Sequence, residues 1–178
     1  MTDLPLPEVP AIPHPFGPPP VEGVLRAAAE DFRVEERLSF PLAGEGGHLY
    51  LHVEKREANT EWVARRLAAR AGVKPREVGY AGLKDRHAVT RQWFSLPPER
   101  APTRWEGWQE AGYRVLEVVP HPRKLRRGAL AENRFTLVVR GVTGDRIAMA
   151  ERLDRVARRG VPNAFGEQRF GIGGGNLA

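Results

Sequence analysis

Apolar positions recur at two different periods along this chain. Phe32-Arg33-Val34-Glu35, and Leu49, Leu51 and Val53, put hydrophobic side chains at every second residue, the period of a strand with one buried face. After Asn59 the period lengthens: Val63, Leu67 and Ala71 stand four apart, which predicts a helix of about three to four turns. Asn59-Thr60-Glu61 offers Asn59 as N-cap and an acid in the first turn, and Gly72 supplies the stop. Gln92-Trp93-Phe94-Ser95-Leu96 reads as a strand ended by Pro97-Pro98, Tyr113 to Val119 as another, and Phe135-Thr136-Leu137-Val138-Val139 as a third. Asp145 opens a second helix with Ile147, Ala150, Leu153, Val156 and Ala157 on one face, closed by Gly160 and Pro162. Strands and helices alternate without a repeat unit or a strand-helix-strand cadence. The expected class is α+β, a mixed and mostly antiparallel sheet flanked by helices.

The globular pattern begins at Val21. Residues 1–20 carry eight prolines, which forbid regular helix or ladder hydrogen bonds, so this segment is expected to be an extended arm and residues 21–178 the folded part. With 41% hydrophobic and 28% charged residues the chain is not a disordered polyelectrolyte. No apolar stretch is long enough to span a bilayer and no signal-like segment opens the chain, so the expected compartment is the cytoplasm, away from membranes. The absence of cysteine removes disulfides, thiolate nucleophiles and zinc-thiolate sites.

Charge changes the picture more. A formal net charge of +6 and a pI near 10.3 favour nucleic acid over an anionic membrane surface. Only four of the 28 basic residues are lysine. A GC-rich genome gives that ratio without selection, and guanidinium forks that grip phosphates give it too. The densest cluster is Arg123, Lys124, Arg126, Arg127 and Arg134, opposed only by Glu132. Taken alone it is as well explained by a solvated loop as by a phosphate-binding one. Its position just before the strand opened by Phe135 favours a phosphate-contacting platform with an aromatic edge.

Other familiar chemistries find no support. Gly79 to Asp85 lacks the ending of a Walker loop, and Gly171-Ile172-Gly173-Gly174-Gly175 has the wrong spacing for a dinucleotide fingerprint. His48 and His52 lie on a strand pattern, which separates them by about 13 Å at roughly 3.3 Å per residue. That is too far for one metal, and no metal site is expected.

The run from Gly79 to Trp93 is different. It sets Asp85 after a glycine-containing turn with Lys84 and Arg86 on either side, cations that favour an ionised carboxylate. A lone Lys-Asp-Arg tripeptide is most often a solvated turn. Here it is one block among six. The others are Glu30-Asp31-Phe32-Arg33-Val34-Glu35-Glu36, Asn59-Thr60, His121-Pro122-Arg123-Lys124-Leu125-Arg126, Asn133-Arg134-Phe135, and Gly160-Val161-Pro162-Asn163-Ala164-Phe165-Gly166-Glu167-Gln168-Arg169-Phe170-Gly171. In order and spacing these resemble the tRNA pseudouridine synthase D family, from about Val21 to the last residue.

The resemblance implies the pseudouridine synthase fold and conversion of uridine to pseudouridine in tRNA, at uridine-13 in bacterial members, without metal, nucleotide or organic cofactor. It implies tRNA as the partner and a monomer when full length. The catalytic aspartate of the family falls on Asp85, and Lys84, Asn133 and Phe135 fall on substrate-binding positions. Arg26 stands where many relatives carry lysine, keeping the charge but presenting a fork. Glu132 stands where glycine is common, and Ala164 replaces a usual aromatic. Breaking C1′–N1 and remaking it as C1′–C5 calls for a carboxylate that attacks C1′ or removes the C2′ proton; the residues do not choose between these routes. The base must leave its stack, so a ring such as Phe135 is expected beneath it, although a core position in its strand explains that ring equally well. Asn133 is placed to orient Asp85 or the uracil edge. Family members continue well past the glycine-rich segment. These residues are therefore expected to form the N-terminal part of an incomplete catalytic domain, inactive alone, with RNA binding without turnover as the alternative.

Overall fold

The structure is a computed structural model and describes residues 14–97 and 104–162. The chain divides into two units, residues 24–140 and residues 1–23 with 141–178.

In the larger unit the period-two segments pair into one sheet. Its strands are β2 (Phe32–Leu38), β3 (His48–Arg56), β4 (Gly79–Tyr80), β5 (Val89–Leu96), β6 (Gln109–Glu110), β7 (Tyr113–His121) and β8 (Leu130–Leu137). The order is β6-β7-β3-β5-β2-β8, with β4 added to the end of β5 that β2 does not cover. Every pairing is antiparallel except that of β2 with β5, which gives the mixed, mostly antiparallel sheet expected.

Helix α1 (Thr60–Ala71) covers one face of this sheet. Val63, Ala64, Leu67 and Ala68 are buried against Leu51, Val53, Phe94, Leu96 and Val115, the inward members of three adjacent strands. Gly72 ends the helix in the left-handed conformation at φ 66°, where a Cβ is costly. The N-cap expectation needs correction. Asn59 takes the extended cap conformation but its exposed side chain makes no capping hydrogen bond. Thr60, next to it and buried, is the residue of that pair with a structural task.

Two further boundaries differ from the sequence pattern. The strand expected to open at Phe135 begins at Leu130, so Asn133 and Arg134 lie within β8 and not in a loop before it. Alanine, glutamate and asparagine are poor strand formers; pairing of Arg37, Glu36 and Arg33 with Glu132, Asn133 and Thr136 overrides their propensity. The run Phe135–Val139 is also not one strand. Val138 turns its N–H to the carbonyl of Asp31 at 2.8 Å and separates β8 from β9 (Val139–Gly144).

A separate two-stranded ladder pairs β1 (Val21–Leu25), unmarked in the sequence pattern, with β9. Helix α2 (Arg146–Arg159) is capped by Asp145, whose carboxylate accepts from the N–H groups of Ile147 and Ala148. The described part of the proline-rich segment runs along it: Arg152 donates to the carbonyls of Gly17 and Pro18 at 2.9 and 2.5 Å. No helix among the described residues is long and apolar enough to cross a membrane.

Candidate functional site

Asp85 lies on the loop between β4 and β5, at the end of the sheet where β3 finishes and β2 begins. The backbone of that loop is held from three directions. Thr60 Oγ1 accepts from the N–H of Lys84 at 3.0 Å and donates to Gln92 Oε1 at 2.9 Å; Gln92 Nε2 donates to the carbonyl of Gly82 at 3.2 Å. Lys55, 1% exposed, reaches from β3 and donates to the carbonyls of Asp85 at 2.6 Å and Lys84 at 3.4 Å. Helix α1, β3 and β5 thus fix the peptide that carries the carboxylate, while its side chain stays 28% exposed. A site carried on regular elements in this way keeps its geometry when substrate arrives.

The charges around Asp85 are not the ones its neighbours in sequence suggest. Lys84 turns inward, its side chain 4% exposed, and pairs at 2.5 Å with Glu36, which is fully buried and also accepts from the N–H of Trp93. Its ammonium is committed to Glu36. Arg26 supplies the facing cation, with Nη2 3.7 Å from Asp85 Oδ1. Arg26 adopts φ 56°, a left-handed backbone unusual for a residue that carries a Cβ, and its guanidinium lies 3.9 Å over the ring of Phe32. Burial pulls the Lys55 amine down from 10.5 to about 8; Asp85 opposes that shift and Lys84 adds to it.

Phe32 carries the arrangement onward. Its ring meets Phe135 edge-on, centroids 6.0 Å apart and planes at 70°. Phe135 is 55% exposed, so among the described residues it is not a core side chain. Two residues earlier on the same face of β8, Asn133 stands opposite Glu36, and its buried Oδ1 accepts no hydrogen bond from a described residue. Arg26, Phe32 and Phe135 are thus joined ring to cation to carboxylate with Asp85. Asn133 lies alongside, across the ladder from the partner of Lys84.

The basic segment forms a turn at another edge. Leu125 is its buried anchor, donating its N–H to Ser95 Oγ at 2.9 Å, and Gly128 donates to the carbonyl of Ala81 at 2.8 Å. Gly79 allows the close approach: a Cβ there would lie 2.3 Å from the carbonyl oxygen of Leu125. Arg123, Lys124, Arg126 and Arg127 are all exposed. Lys124 donates to the carbonyl of Arg76, and Arg127 stacks on Tyr80 at 4.0 Å. Glu132 faces Arg37 at 3.4 Å across the ladder, an exposed pair that contributes little. Among the described residues no cluster of His, Asp and Glu could hold a metal ion. Ala164 and the glycine-rich segment lie outside the described residues.

The model of tRNA pseudouridine synthase D (TruD) matches residues 16–176. The chain belongs to this family. It is 55% identical over 157 residues to tRNA pseudouridine synthase D of Pseudomonas aeruginosa, covering 88% of this chain and 44% of that protein. To the Cellvibrio japonicus enzyme of the same name it is 50% identical over 170 residues, covering 93% and 51%. A crystal structure described as tRNA pseudouridine synthase D from Methanosarcina mazei superposes with a TM-score of 0.70 at 30% identity, over 84% of this chain and 35% of that one. The fold is therefore that of tRNA pseudouridine synthase D, and the chain spans about half the length of the curated relatives it matches.

Of these participants Lys55 lay outside the six blocks, while Phe32, Glu36, Thr60 and Gln92 stood inside them with no role assigned. Lys55 was visible in principle. It continues the inward series Leu49, Leu51, Val53, and a lysine on an apolar strand face needs buried partners.

Proposed function

We propose that the complete protein converts uridine to pseudouridine in tRNA, at position 13, with Asp85 as the catalytic carboxylate. The observation that carries this is the pairing of a rigidly held peptide with a partly exposed carboxylate 3.7 Å from the Arg26 guanidinium. Phosphate binding alone has no use for an acid at that point. Asp85 either attacks C1′, releasing the uracil anion, or removes the C2′ proton as the C1′–N1 bond breaks, leaving a glycal and the uracil anion. The base then turns and C5 bonds to C1′, displacing the Asp85 carboxylate in the first route and with C2′ regaining its proton from Asp85 in the second; the C5 proton is lost and N1 regains one. Arg26 offsets negative charge at the carboxylate and on the departing base. Phe135 offers a ring to the unstacked uracil, and Asn133 an amide to its edge or to Asp85. The turn at Arg123, Lys124, Arg126 and Arg127 holds phosphates.

Asp85→Asn in the full-length protein tests the reading. Release of tritium from C5-labelled tRNA should disappear while tRNA affinity stays within a few fold, since charge is removed but little contact area. Substantial turnover in that variant places the catalytic acid elsewhere.

A further inference from the structure

A cavity of about 570 Å³ lies on the other side of the basic turn, and no residue placed around Asp85 lines it. Its apolar surface comes from Phe40, Tyr50, Pro122 and Leu125, its rim from Arg123 and Arg126, and His121 closes one side. The rings are assembled with care. His121 sits 4.6 Å from Tyr50 and 5.2 Å from Phe40, and its Nδ1 accepts from the N–H of Ala43, leaving Nε2 as the ring's donor. The guanidinium groups of Arg123 and Arg126 make no hydrogen bond or ion pair with another described residue, unlike Arg127 on Tyr80 and Lys124 on Arg76. Two cations left unpaired are held on a turn that Leu125 and Gly128 anchor to β5 and to the Ala81 carbonyl.

We propose that this cavity holds a second, unstacked nucleotide of the RNA substrate, its base against Phe40 and its phosphate between Arg123 and Arg126. The inference rests on the RNA-modifying reading above and adds a subsite to it. The volume suits a group of nucleotide size. An inorganic phosphate needs no aromatic wall, and an apolar ligand needs no pair of uncommitted guanidiniums; a nucleotide uses both, as single-stranded RNA does on ring-and-arginine surfaces. A cavity apart from Asp85 takes a neighbouring or looped-out nucleotide and not the reacting uridine.

The test uses the full-length protein and unmodified tRNA. Phe40→Leu keeps apolar bulk but not the ring, and Phe40→Trp keeps the ring. Leucine should raise Kd and KM for tRNA together by about five- to tenfold, the low end of base-aromatic stacking, with no change in the salt slope. Tryptophan should restore wild-type binding. Arg123→Gln with Arg126→Gln should lower the slope of log K against log salt by about 1.4 to 1.8. Leucine binding as wild type, or leucine and tryptophan weakening it alike, overturns the subsite: the first leaves a phosphate turn only, the second a packing role. Wild-type turnover with unaffected variants sinks the subsite alone. Absence of turnover in the wild type sinks the functional reading instead.

Discussion

The Lys55 ammonium donates to the main-chain carbonyl of Asp85 at 2.6 Å, from a side chain that is almost wholly buried. A buried cation is costly unless its donors are used. Here they are used on the peptide that carries the candidate catalytic acid. Lys55 is thus a positioning residue, acting through the backbone of Asp85.

This relationship has a pH signature. Burial lowers Lys55 to about 8, with Lys84 adding to the fall and Asp85 opposing it; across the ladder it faces Thr90 and Tyr113, whose phenol burial pushes up. The folded state therefore holds fewer protons than the unfolded one between about pH 8 and 10.5. By linkage the cost of the buried ammonium is full below pH 8 and is relieved as pH rises. Activity should run the other way. As Lys55 loses its proton its hold on the two carbonyls weakens, so kcat/KM should fall above about pH 8. In Lys55→Arg, which stays charged, that alkaline limb should move up. A pH profile of both proteins decides it; an unchanged limb in the arginine variant removes Lys55 from this role.

The buried Lys84–Glu36 pair should behave as a structural unit under the same loop. Glu36→Gln leaves the Lys84 ammonium without its counter-charge, and breaking such a pair costs about 3–5 kcal/mol. Replacing both by methionine removes both charges and should cost clearly less than the single change. Denaturant unfolding of Glu36→Met, Lys84→Met and the double methionine variant measures the coupling. A double variant whose loss equals the sum of the single ones means that the pair is not coupled.

How far the site was legible in the sequence follows from where each residue's partners lie. The strands at Phe32, Leu49 and Gln92 and the helix after Asn59 declared themselves because one face of each meets a common core, and burial imposes the period. The Asp85 block was legible for its motif. Its electrostatics were not. Adjacency suggested Lys84 as the flanking cation, but the side chains of consecutive residues diverge, and Lys84 found Glu36, 48 positions away in sequence. Arg26, 59 positions before Asp85, became its partner only once the loop had folded back on the start of β2. The opening of β8 was illegible for a related reason. Leu130 to Arg134 pair because β2 offers an unpaired edge, which no local propensity reports.

The basic turn predicts a response to salt. Arg123, Lys124, Arg126 and Arg127 are exposed on a segment pinned at both ends, so phosphates bound there release counterions without reordering the protein. Affinity for tRNA should fall steeply with ionic strength, and each charge-neutral substitution should lower the slope of log K against log salt by about 0.7 to 0.9. Arg127 should contribute less than Arg126, because its guanidinium already stacks on Tyr80. Titrations at several salt concentrations test this. Identical slopes for wild type and all four variants would make the turn a solvated loop.

Asn133 gives the sharpest separation of stability from function. Its Oδ1 is buried with no donor among the described residues, a state that costs about 1–3 kcal/mol in an isolated fold. Removing an unsatisfied acceptor does not destabilise; filling the space with an apolar side chain of similar shape should be neutral or mildly favourable. Asn133→Leu should therefore keep or slightly raise the melting temperature. If the oxygen is held in reserve for the uracil edge, the same variant should lose about ten- to a hundredfold in kcat/KM, the equivalent of one to two missing hydrogen bonds at about 1.4 kcal/mol per factor of ten. Asn133→Asp keeps the acceptor but adds a charge across the ladder from Glu36, and should fail on both counts. Thermal unfolding and tritium-release kinetics on the same three proteins make the comparison. A leucine variant that melts earlier and turns over normally would mean that Asn133 serves the edge of the sheet and not the substrate.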